Sequence, residues 1–152
     1  MKWVLLGIAS LIVLVAMVAL VGSRLPREHT ATRTLKVRRT PQEIWPVFTA
    51  VTAASSVPVD IVEQDPPRRI VTRVKPTEKM FGGTWTCVIT PAPPSAGSEK
   101  AESTLTITED GWVANPIFRF MSRFVIGHHA TMDATLKEVA AKLNEQAVLS
   151  GE

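Results

Sequence analysis

The chain reads as an α+β protein, a small antiparallel sheet covered by a long C-terminal helix and preceded by one transmembrane helix. Three observations predict this. Trp3 to Val21 is an apolar run without a charge. Several later segments alternate apolar and polar residues with the period of two expected of a strand. From Ile117 to Leu143, apolar residues recur at steps of three and four, the stripe of an amphipathic helix.

The apolar run comes first. At ~1.5 Å per residue it spans roughly 28 Å as a helix, the thickness of a bilayer's hydrocarbon core. It has no polar face, which a core helix at a protein surface would need. A cleaved signal peptide is the rival reading, with "VGS" before Arg24 as a passable cleavage site. The run exceeds an ordinary signal-peptide core, so an uncleaved anchor is favoured. No cysteine follows it closely, which excludes a lipoprotein anchor. Arg24, Arg27, Arg33, Lys36, Arg38 and Arg39 follow the span, against Lys2 before it, so the positive-inside rule leans towards a cytoplasmic C-terminal domain.

Of 152 residues, 45% are hydrophobic, which suits one domain plus this segment. The organisation expected is an anchor over residues 1–23, a linker over 24–28, a domain over 29–147 and a tail over 148–152. A first strand runs from about His29 to Arg39. Thr40, Pro41 and Glu43 then form a capping box with proline at the first helical position. Ile44, Trp45, Val47 and Phe48 give that helix its apolar face, with Pro46 tolerated in the first turns. Strands follow at Val57 to Glu63, Arg69 to Lys75 and Gly83 to Pro91, then a loop over "APPSAGSEK". The last strand, "TLTITE", ends at Glu109 before a turn at Asp110-Gly111. Asn115-Pro116 caps the final helix, where Gly127 is a candidate break.

The net charge of +3 is scattered in short pairs, so nucleic acid is not an expected partner; anionic lipid headgroups account for it more simply. Cys87 is the single cysteine, which rules out an internal disulfide; it shares a strand face with Trp85 and Ile89 and reads as a buried thiol. His128 and His129 are adjacent and point apart on a helix, a poor metal pair. No nucleophile elbow, phosphate loop or dinucleotide fingerprint is present, and no cofactor is expected. Two titratable groups fall on inward phases, Glu109 on its strand and His128 on the helix stripe. Each reads either as a structural partner or as pocket lining. For Glu109 the structural partners are Arg119, Arg123 or a turn amide, at the rim of a binding site.

"DPPRRIVTRV", "FGGTWTCVITP" and "TLTITEDGWVANPIFRFMSRFVIGHHATMDATLKEVAAKL" together resemble the SRPBCC, or START-like, superfamily of polyketide cyclases/dehydrases and lipid-transport proteins. The likeness is to the bacterial branch with an N-terminal transmembrane helix, and it covers about Leu25 to Leu143. It implies a helix-grip fold, an antiparallel sheet around the long C-terminal helix with a hydrophobic cavity between them. "FTAVTAASSVPVDIV" crosses where relatives place a further helical turn and a strand pair, so the grip is shortened. A shortened grip would leave the cavity open on one side, smaller or absent and the sheet with an unprotected edge, calling for a membrane, a protein partner or a second copy to cover it.

The resemblance implies a membrane-anchored, non-catalytic binding module for a lipid or other hydrophobic small molecule, a carrier or sensor. Candidate cavity lining is Trp45, Phe48, Phe81, Trp85, Cys87, Ile107, Glu109, Met121, Val125, His128 and Met132. The family's catalytic patterns do not map onto this chain. The alternatives are a membrane-bound protein-interaction domain with a degenerate pocket and, more remotely, a cyclase/dehydratase-type enzyme using Glu109 or His128 as acid or base.

Overall fold

A computed structural model describes residues 1–55, 57–75, 81–93 and 101–151. Helix α1, Lys2–Arg24, is the apolar run; its residues from Trp3 to Met17 are exposed along the whole circumference. Strand β1, Glu28–Val37, leads to α2, Pro41–Ala53. The capping box forms as read: Glu43 N–H donates to Thr40 Oγ1 at 3.3 Å, and Thr40 N–H donates to Glu43 Oε2 at 2.8 Å.

A meander follows, β2 (Val59–Asp65), β3 (Arg69–Val74), β4 (Phe81–Ala92) and β5 (Glu102–Val113). Then come α3 (Pro116–Met121), a π-helical turn at Ser122–Ile126, α4 (Ala130–Lys142) and β6 (Val148–Ser150). All six strands form one antiparallel sheet in the order β2-β3-β4-β5-β1-β6. The segment expected as a tail thus supplies an extra strand. Leu149 opposite Leu35 packs against the core, a pairing too short to register in the sequence pattern. Of the loop expected at 92–100, residues 94–100 lie outside the described residues.

Alternation gives the sheet two faces. Outward threonines pair across strands, Thr32 with Thr108 at 3.3 Å and Thr34 with Thr106 at 3.0 Å. Inward, Leu35, Ile70, Cys87, Ile89, Leu105 and Ile107 meet Ile44 and Phe48 of α2 and Met132, Leu136 and Val139 of α4. Both helices therefore cover the same face. Arg33 of β1 fastens α4 to the sheet, its Nε standing 2.9 Å from Asp133 Oδ1.

Two expectations fail here. Strand β5 does not turn at Asp110-Gly111 but runs on to Val113, because Gly111 pairs with both His29 and Gly83. The C-terminal stripe also fails to lie along the sheet over its whole length: the helix breaks at Gly127, the candidate break, and the part before it leaves the sheet. Gly127 takes φ +81°, a left-handed value that favours glycine, and separates α4 from the segment before it. That segment packs on α1 instead, where Gly22 is buried so close to Pro116 that a Cβ would overlap its carbonyl. Asn115 caps α3 by accepting from Ile117 N–H at 2.8 Å. The buried Arg119 donates to Leu25 O at 2.8 Å and Ala114 O at 3.1 Å, tying the linker down.

Candidate functional site

Residues paired across the sheet share a face, so the inner surface can be followed row by row. One row, Ile89, Leu105 and Leu35, lies in the solid core under α2 and α4. Two rows further on stand Thr72, Trp85, Glu109 and Ala31. The following row runs Gly83, Gly111 and His29, and two of its three members bring no side chain. The strands touch closely there, since a Cβ at Gly83 would come 2.6 Å from Asp110 O. The opposing side chains of α4 shrink as well, from Met132 and Leu136 to Thr131 and Thr135.

Beside Gly83, between the sheet and α4, lies a cavity of about 200 Å³. Its wall combines Val57, Val59, Val74, Trp85 and Phe81 with Thr52, Thr72, Thr131 and Thr135. Phe81 lines it while standing half exposed, so it marks the rim. A wider groove of about 510 Å³ beneath β2 adjoins it, and Thr52, Ser55, Val57, Val59 and Thr72 line both. The cavity lies towards the α1 end of the sheet: Phe81 pairs with Val113, whose N–H donates to Arg27 O just after α1.

Among the described residues, Glu109 is the charged one in the cavity lining. Trp85 Nε1–H donates to its Oε2 at 2.9 Å, and His29 Nε2 lies 3.3 Å from its Oε1. The expected anchors, Arg119, Arg123 and a turn amide, are replaced by these partners from β4 and β1. Leucine at this position would strip Trp85 of its half-buried acceptor. Glu109→Leu is expected to cost about 1–3 kcal/mol in urea unfolding, and Glu109→Gln, which keeps an acceptor oxygen, distinctly less. Equal losses in both variants would show that the Trp85 bond does not set the cost.

His29 also stacks on His128, ring centroids 4.2 Å apart and planes 24° from parallel. His128 lies just before α4 and does not reach the cavity; it borders a small pocket with Arg27, Arg119 and Arg123. Desolvation, followed by His29 and Arg123, holds its pKa below the ordinary 6.5, with Glu109 opposing and His129 adding slightly. The unfolded imidazole therefore binds protons more readily than the folded one. The contribution to stability is complete above pH 6.5 and is lost as pH falls from there through the lowered native value. Urea midpoints of the wild type should fall over that window, and those of His128→Phe, which keeps a stacked ring, should fall less. An identical decline in the variant would place the titration elsewhere.

The other candidates scatter. Phe81, Trp85 and Glu109 line the cavity, and Trp45 lines the adjoining groove. Phe48, Cys87, Ile107 and Met132 are core residues. Burial pushes the Cys87 thiol up to about 12, leaving it protonated and unreactive at neutral pH. Met121 is half buried in α3, and Val125 is exposed on the π-helical turn, so neither reaches the sheet face. The sequence reading missed His29 and the threonine and valine wall. Their signal was available in the inward phases of β1 and β3 and in the i,i+4 pair Thr131 and Thr135, which lies beside the stripe. Among the described residues, no three of His, Cys, Asp and Glu converge as a metal ion would require.

Neither a protein-family model nor a curated protein matches the chain. Among solved structures, a conserved protein from Geobacillus kaustophilus is similar in fold, with a TM-score of 0.58 over 80% of this chain and 99% of its own. The two share 10% identity, so the likeness is one of fold alone.

Proposed function

We propose that the chain is a membrane-anchored binding module for a lipid or other apolar small molecule, a carrier or sensor with a shortened START-like helix grip. The observation that carries this reading is the cavity between sheet and α4, with its aliphatic and aromatic wall and one carboxyl group held at its edge. Such a wall with few polar groups suits an apolar ligand. Alone, about 200 Å³ is small for a lipid, and the adjoining groove supplies the length that an acyl chain needs. The anchor is α1, and its basic flank favours a domain on the cytoplasmic side. Anchoring keeps the cavity beside the bilayer where such ligands dissolve, raising their effective concentration.

A protein-interaction role has one observation in its favour. Strand β2 is an edge with Ile61 and Val62 exposed, although a bulge between Ile61 and Glu63 bends it away from regular pairing. Native mass spectrometry of the full chain, extracted gently from membranes, tests the binding reading. The expected spectrum carries a co-purified apolar molecule in near-stoichiometric amount. A ligand-free chain that also takes up nothing from liposomes would sink the carrier reading in favour of the edge.

A further inference from the structure

The segment from Ile117 to Ile126 keeps a set of apolar side chains at the surface, although Phe124 also meets the half-buried Phe120, ring centroids 5.0 Å apart. Ile117 and Phe118 are 38% and 49% exposed, and Phe124, Val125 and Ile126 are 59%, 62% and 62% exposed. A contiguous apolar patch of this kind on a folded domain marks a contact surface. What it faces is indicated by its neighbour. Helix α3 packs along the last turns of α1, with Gly22 against Pro116 and Arg119 bonded to Leu25 O, so the patch stands where the apolar helix ends. No acidic residue lies between Gly111 and Gly127, whereas Arg24, Arg27 and Arg123 are exposed around the patch.

We infer that the Ile117–Ile126 segment is a second membrane contact, lying in the interface of a bilayer with anionic headgroups. This rests on α1 being a membrane anchor. An apolar helical face flanked by arginines is the composition that settles at this depth, the aromatics among the upper acyl chains and the guanidinium groups at the phosphates. Two attachments fix the domain's orientation where a single span through a short linker would let it swing. They also hold the Phe81 rim of the cavity towards the lipid surface.

Nitroxide labels on the full chain in nanodiscs of zwitterionic and anionic phospholipid test this, placed one at a time at Val125, Leu11 and Ala134 in a Cys87→Ala background. The expected result is a Val125 label exposed to oxygen and shielded from a water-soluble nickel complex, several-fold more so than an Ala134 label on the exposed side of α4. The Leu11 label should sit deeper still. A Val125 label as open to nickel as Ala134, with Leu11 deep in the bilayer, overturns the inference and leaves the anchor standing. A Leu11 label outside the bilayer overturns both. Dipolar broadening at Val125 that vanishes on dilution with unlabelled chain overturns it in favour of a second copy on this patch.

Discussion

Replacing Thr135 by tryptophan is expected to abolish uptake of an apolar ligand while leaving the fold standing. Thr135 sits on the α4 side of the cavity, and its hydroxyl donates to the backbone carbonyl of Thr131 on its own helix. An indole there would extend into the cavity of about 200 Å³ and so compete with ligand for the same volume. Apparent affinity for a fluorescent fatty acid should drop at least about tenfold, equivalent to ~1.4 kcal/mol. Thr135→Ala, which widens the space, should retain uptake. Circular dichroism separates this from unfolding. Unchanged affinity in a folded Thr135→Trp variant would place the ligand outside the cavity.

The second large effect concerns the helix stripe. Leu136→Ala is expected to destabilise the domain by about 2–5 kcal/mol, because Leu136 is fully buried where α4 meets the sheet. Val125→Ala, on the same stripe by sequence, should change stability by no more than about 0.5 kcal/mol. A continuous helix laid on the sheet predicts comparable losses at the two positions. Urea unfolding in mild detergent decides between them. A substantial loss at Val125 would mean that the segment before Gly127 packs in the domain core.

That contrast shows where the sequence could be read and where it could not. Strands β1, β3, β4 and β5 and the Thr40 cap followed from alternation and capping chemistry, since those are local properties of the chain. The break at Gly127 was visible as a candidate, but the destination of the preceding segment was not. In "IFRFMSRFVIG" the period puts Arg119, Ser122 and Arg123 on an outer face, opposite Ile117, Met121 and Val125; contact with the end of α1 buries Arg119 instead. Strand β6 escaped because its pairing depends on Leu35, more than a hundred residues away in the chain.

The site divides in the same manner. Glu109 was placed inward correctly by phase, yet its partners Trp85 and His29 come from neighbouring strands and depend on register. Large aromatics drew attention as cavity lining, but space arises where side chains are small. Gly82 and Gly83 of β4 and the threonines of α4 line the cavity, while Phe48 and Met132 fill the core beside it. An apolar pattern marks what will be buried. It does not mark where packing stops.

On the proposed function, an apolar molecule occupies the cavity between the sheet and α4. Photocrosslinking the full chain in membranes with a diazirine-bearing acyl lipid, followed by mapping of the adducts, tests it most directly. Labelled peptides spanning Phe81 to Trp85 and Thr131 to Thr135 are expected, diminished in Thr135→Trp. Adducts confined to α1 and the Ile117–Ile126 segment would contradict it, leaving a protein that touches lipid without holding any.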